Sequence, residues 1–227
     1  MRMAVLAVVW AVSLRVLAGP RAASADEPAS SAQEPAPPSS KPDTTYGRVD
    51  GYVDLAFGAG AAFGPGGPRS VIDFRARYLE TAGLFLTYEE GGLFRSSADP
   101  LRVIAGGLEV RPLFVARWLT GRETGNARAD LILDSFGLEL GGYLAQPNGG
   151  SLGDQPGFQA GLGLEAPVYA QASGPWVGVR GGIRWSEAGL SGSSQSGAAD
   201  RAMYLTITLS WHQVVSDRHV DVSSSGP

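Results

Sequence analysis

The 227-residue sequence predicts an all-β fold, an eight-stranded antiparallel up-and-down transmembrane β-barrel. Three observations carry that prediction. Short stretches alternating apolar with polar residues recur down the chain, turn signals separate them at regular intervals, and a secretory leader precedes them all. The last stretch shows the alternation best. Met203, Leu205, Ile207, Leu209 and Trp211 fall on one face, and Tyr204, Thr206, Thr208, Ser210 and His212 fall on the other. Period two is the mark of a strand with one apolar and one polar environment.

The leader sets the compartment. Met1-Arg2-Met3 is a short basic start, Ala4 to Leu14 is apolar apart from Ser13, and Ala23-Ser24-Ala25 supplies a small-x-small cleavage signal. Residues 1–25 read as a signal peptide cut before Asp26. An uncleaved anchor is the rival reading, and Arg15 counts against it by interrupting the apolar run. No other segment approaches the ~20 apolar residues of a membrane helix. Residues 26–45 hold no large apolar side chain and are rich in Pro, Ala and Ser, so they read as a disordered tether. The barrel itself is expected over 46–213 and a polar tail over 214–227. With no cysteine, disulfides and thiolate metal sites are excluded. The chain carries 18 basic and 22 acidic residues, and loss of Arg2, Arg15 and Arg21 with the leader deepens the acidic excess. Nucleic acid is therefore not an expected partner.

Eight strands follow in order. The first sets Val49, Val53, Leu55, Phe57, Ala59, Ala61 and Phe63 against Asp50, Tyr52, Asp54, Ala56, Gly58 and Gly60, and ends at the Gly64–Pro68 turn. The second sets Ile72, Phe74, Ala76 and Tyr78 against Asp73, Arg75 and Arg77. The third sets Leu84, Leu86 and Tyr88 against Phe85, Thr87 and Glu89. In the fourth, Ile104, Leu108, Val110 and Phe114 oppose Glu109 and Arg111. The fifth is clean from Ser135, with Phe136, Leu138, Leu140 and Leu144 opposing Glu139 and Tyr143; Asp134 falls on the apolar face, and a bulge or a rim position is expected near Leu133. The sixth opposes Phe158, Ala160, Leu162, Leu164 and Val168 to Gln159 and Glu165. The seventh opposes Val177, Val179, Ile183 and Trp185 to Trp176, Arg180 and Arg184.

An eight-stranded barrel has an interior that side chains can just fill. The expected lumen network is Asp50, Asp54, Asp73, Arg75, Arg77, Glu89, Glu109, Arg111, Glu139, Glu165, Arg180 and Arg184. Opposite charges so confined pair with one another, because an isolated buried charge is very costly. Aromatic residues gather near strand ends on the apolar face, with Phe63, Phe158 and Trp185 at one rim and Tyr78, Phe114 and Trp211 at the other. Outer-membrane barrels place aromatic girdles there. A soluble barrel would reverse the faces, whereas a sandwich also fits the alternation. Three connections, 91–100, 146–157 and 187–200, are long and mostly rich in Gly and Ser, as loops outside the cell are. The connection 117–127 is long on the side where turns are short, so it signals a short helix at Trp118-Leu119 or a different strand count.

On this pattern, and on the closing strand Tyr204-Leu205-Thr206-Ile207-Thr208-Leu209-Ser210-Trp211, the chain resembles small bacterial outer-membrane barrels of the OmpA/OmpX-type class over about residues 46–213. Members of the class commonly close with an aromatic-terminated strand that the barrel assembly machinery reads; here a polar tail follows Trp211. The resemblance implies the outer membrane of a Gram-negative-type envelope as location, membrane lipid and the assembly machinery as partners, and a monomer.

Chemistry is sparse. The two histidines, His212 and His219, read as rim and tail residues; Glu89-Glu90 reads as a solvated pair; Gly58-Ala59-Gly60 has no following helix to cradle a phosphate. No catalytic residue, metal site or cofactor is expected. The leading expectation is a non-enzymatic barrel with a charge-plugged lumen and an envelope-structural or loop-display role. A transport or ligand-binding barrel, working through Arg75, Glu109, Arg111 and Arg180, is the rival, and a lipid-modifying enzyme is the third reading.

Overall fold

A computed structural model describes residues 46–91, 100–192 and 200–215. The leader, the tether and most of the tail lie outside the described residues, as do the centres of two long connections.

Eight strands close into an antiparallel barrel in which each pairs with its sequence neighbours and the last returns to the first. They are β1 (Val53–Gly64), β2 (Gly67–Tyr78), β3 (Ala82–Glu90), β4 (Arg102–Val110), β5 (Gly137–Gln146), β6 (Gln155–Pro167), β7 (Gly174–Ser186) and β8 (Arg201–Val215). Closure removes every sheet edge and rules out the sandwich. The strand β8 outruns its expected end and takes in Val214 and Val215.

Alternation decides which way each side chain points. Along β8, Tyr204, Thr206, Thr208, Ser210 and His212 are buried, while Met203, Leu205, Ile207, Leu209 and Trp211 are exposed. The same inversion holds around the barrel, with Arg75 and Glu109 inside and Phe74 and Leu108 outside. Charged residues on the outer face of the strands occur at one end only, at Glu90, Arg102 and Arg201. We call this the far end. The near end is where β1 begins and β8 finishes. Inside, Gly107 and Gly141 sit directly opposite one another. A Cβ at Gly107 would lie 2.2 Å from the Leu140 carbonyl oxygen, and one at Gly141 equally close to that of Gly106, so these strands approach too closely for any side chain there.

The connection between β4 and β5 differs from expectation. The strand β4 stops at Val110 because Pro112 has no N–H for the ladder; instead it opens a helix, α1 (Pro112–Thr120), closed by Gly121 in the left-handed region. Phe114 is thus buried on a helix and not part of a rim girdle. Trp118 and Leu119, the site suspected of helicity, lie in its last turn. A second helix, α2 (Ala127–Asp134), is capped by Asn126, whose side chain accepts from the Ala129 N–H at 3.2 Å. The expected bulge near Leu133 is this helix. Asp134 breaks the strand pattern because it belongs to a period of 3.6. A short helix, α3 (Glu187–Ser191), follows β7 at the far end. No helix among the described residues is long and apolar enough to cross a membrane.

Candidate functional site: a charged lumen closed by a helical cap

Eleven of the twelve expected lumen residues are buried inside the barrel. Asp50 is the exception: it is exposed and precedes β1, because the chain bends at Gly47–Asp50 and alternation begins only at Val53. The sequence reading also missed Arg69, Glu80 and His212, all buried. Arg69 shares the parity of Asp73 and Arg75 on β2, a signal hidden by the Gly-Pro turn before it. Glu80 sits in the β2–β3 turn with φ at +56°, where a non-glycine residue is strained, and reaches inward to pair with Arg111. His212 continues the inward face of β8 and is not a rim residue: it is 1% exposed.

Arg75 holds the centre. Glu109 and Glu139 are directly opposite on β4 and β5, an arrangement that repels unless bridged. The Arg75 Nη1 donates to both at 2.6 Å, while its Nε and Nη2 grip Asp73 at 2.7 and 3.1 Å and the guanidinium lies 5.6 Å from the Phe85 ring centre. One fork thus satisfies three carboxylates. Arg180 reaches Glu139 at 3.2 Å, Asp73 at 3.6 Å, and Glu165. Toward the near end, Arg77 bonds Asp54 at 2.8 Å, Glu109 at 3.1 Å and Glu165 at 3.2 Å, and Arg111 bonds Glu165 at 2.5 Å. Toward the far end, Glu89 takes Arg69 at 2.8 Å and Arg184 at 2.6 Å, with Arg184 also on Gln159 at 3.0 Å and over the Tyr204 ring at 4.4 Å.

His212 lies with its Nδ1 3.5 Å from Asp54 Oδ2 and its Nε2 3.2 Å from Ser210 Oγ and 3.7 Å from Glu165 Oε1, stacked on Trp176 at 4.8 Å. The order Ser-His-Asp is that of a hydrolase relay. Its setting is different. The imidazole stands between two carboxylates with an indole across its face.

The α1–α2 segment closes the near mouth. Asp130 and Asp134, one turn apart on α2, face Arg117 of α1 and Arg48 of the chain entering β1. Arg48 lies 5.0 Å from the Phe114 ring centre. Leu131 packs on Ala172 and Trp176 with Tyr46 and Val214 beside them, and the Ser135 hydroxyl is 2.7 Å from the Glu165 carbonyl oxygen. Between this cap and the charged lumen lies a cavity of about 10 Å³ bordered by Glu80, Arg111, Leu131 and Trp176. That is room for about one water.

Burial alone would push the Asp130 carboxyl up, but hydrogen bonds from the Thr124 N–H and hydroxyl, Arg117 and Tyr46 outweigh it and leave it at about 2. A carboxyl held lower in the fold than in the open chain stabilises the fold fully at neutral pH, and the contribution is lost as pH falls from about 4 toward 2. Protection of residues 112–135 against hydrogen exchange, taken relative to the intrinsic rate at each pH, is therefore expected to fall over that window in the wild type. In Asp130→Asn it should be low already at pH 7. Equal protection in the two proteins at pH 7 would rule out Asp130 as the clasp.

No family model and no curated protein matches the chain.

Proposed function

We propose that the chain is a non-enzymatic, monomeric outer-membrane β-barrel of the OmpA/OmpX-type class, with a lumen plugged by its own charges and a role in envelope structure or loop display. One observation carries the reading: the barrel is inside out relative to a soluble protein. Its ion pairs are buried, with Arg75 and Arg77 each 1% exposed, while Leu84, Leu108 and Leu209 are each at least 60% exposed. Water does not favour such an exterior, and hydrocarbon does. On β1 the uncharged outer face runs from Val53 to Phe63, which at a typical strand tilt is about 25 Å along the barrel axis. Phe158 and Trp185, with ring centres 6.0 Å apart, mark the far rim, and Tyr78 and Trp211 mark the near one.

In this reading the near end with its helical cap faces the periplasm, the far end faces outward, membrane lipid is the solvent of the outer wall, and the assembly machinery inserts the chain. The pairing of every central carboxylate and the cap beneath them favour a plug over a path.

Two measurements test it. The folded protein in detergent should migrate on an unboiled gel differently from the boiled one. In a planar bilayer the wild type should conduct almost nothing, and Arg111→Ala should raise the leak. Steady wild-type conductance, with Arg111→Ala shifting selectivity toward cations, would favour the transport reading instead. Fatty-acid release from lipid, abolished by His212→Ala, would favour an enzyme.

A further inference from the structure

The outer wall is uneven in one place. In its far half, Phe63, Leu162, Ile183, Met203 and Leu205 border an open groove of about 670 Å³ floored by Gly181. Gly181 lies between Leu162 of β6 and Leu205 of β8 on the outward face. The gap is not forced by the backbone. A Cβ at Gly181 would meet only the Tyr204 carbonyl oxygen at 3.5 Å and Leu205 Cδ1 at 3.7 Å, which is ordinary contact, whereas one at the neighbouring Gly182 would lie 2.3 Å from the Ala160 oxygen. A side chain fits at 181, and its absence leaves the hollow.

Above the groove, at the far rim, stands Arg201. It is two residues from Met203 on the same face of β8 and is paired in register with Trp185. Arg201 is exposed and has no ion-pair or hydrogen-bonding partner among the described residues, while its neighbour Asp200 accepts from the Ser186 hydroxyl at 2.5 Å. A free guanidinium beside an indole at the headgroup level, directly over an apolar channel running about 13 Å from Arg201 to Leu205, complements an anionic head with a hydrocarbon tail beneath it.

We propose that this groove seats one acyl chain of a phospholipid of net negative charge whose phosphate rests on Arg201. The proposal builds on the membrane reading and adds a specific lipid site to the general lipid belt. Protein refolded into nanodiscs of phosphatidylcholine with a minor share of phosphatidylglycerol, then released into detergent for native mass spectrometry, should retain one phosphatidylglycerol. Gly181→Leu fills the groove and excludes the acyl chain by overlap, so retention should fall to that of an unselected lipid. Arg201→Gln should keep a lipid but lose the preference for phosphatidylglycerol over phosphatidylcholine. Both variants should show the wild-type gel shift on heating.

Equal retention of the two lipids by the wild type, or undiminished retention by Gly181→Leu, overturns the site and leaves the membrane reading standing. A dimer mass that disappears in Gly181→Leu overturns it too, because the occupant is then a second copy of the chain. Failure of the wild type to enter the nanodisc at all, read from the gel before any lipid is counted, overturns both.

Discussion

Arg75→Ala is expected to be the most damaging single change inside the barrel, lowering the urea midpoint by about 1 M or more. Its guanidinium separates Glu109 from Glu139 and also holds Asp73, at 1% exposure. Removing it leaves three buried carboxylates with only Arg77, Arg111 and Arg180 to share, two of them directly opposed across β4 and β5. Breaking a buried pair costs about 3–5 kcal/mol because the partner's desolvation is no longer offset. With a slope of about 1–3 kcal/mol per molar urea, that is a displacement on the molar scale. The readout is loss of the compact gel species across a urea series. The triple change Arg75→Met, Glu109→Gln, Glu139→Gln should recover much of the loss, because it removes the charges together rather than orphaning one sign. An unchanged midpoint in Arg75→Ala would mean that water already solvates these carboxylates, and the plug would then be a channel.

The inward set was legible because strand parity is a strict rule: on β2, Asp73, Arg75 and Arg77 alternate with Ile72, Phe74 and Ala76, and one parity choice places them all. Arg69 obeys the same parity, yet the Gly64–Pro68 run resembles a loop long enough to hide where β2 begins. Which partners meet was not legible. Arg75 finds Glu139, a residue 64 positions away, through barrel closure, and period-two alternation carries no information about cross-barrel distance.

The cap shows the opposite failure. Residues 127–134 carry Asp130, Leu131 and Asp134 on one helical face, but inside a chain that alternates almost everywhere else, so a period of 3.6 over only two turns was absorbed into a strand with a defect. The local cue was Pro112, which ends a ladder and begins a helix in one residue. Asp50 failed for a related reason: parity carried backward from β1 continues through a bend that the left-handed Gly47 begins.

The outer wall yields the second large effect. Ile207→Arg is expected to block assembly or to destabilise the barrel by about 2–4 kcal/mol, the depth-dependent cost of a guanidinium at the bilayer midplane. Ile207 is central on β8, 42% exposed, and pairs with Val179 of β7 and Ala61 of β1. Both of those neighbours are apolar and point outward, so no carboxylate is within reach to receive the charge. Thr206→Arg, one residue away, points inward beside Arg180, and its penalty arises from crowding and like charge. The two variants separate on the lipid: thinner bilayers bring the headgroups within reach of a snorkelling arginine and should relieve Ile207→Arg while leaving Thr206→Arg unchanged. The assay is folding yield into vesicles of short- and long-chain phosphatidylcholine, read by the heat-dependent gel shift. If Ile207→Arg folds as well as the wild type in both, β8 does not face hydrocarbon, and the apolar exterior must be covered by something other than a membrane.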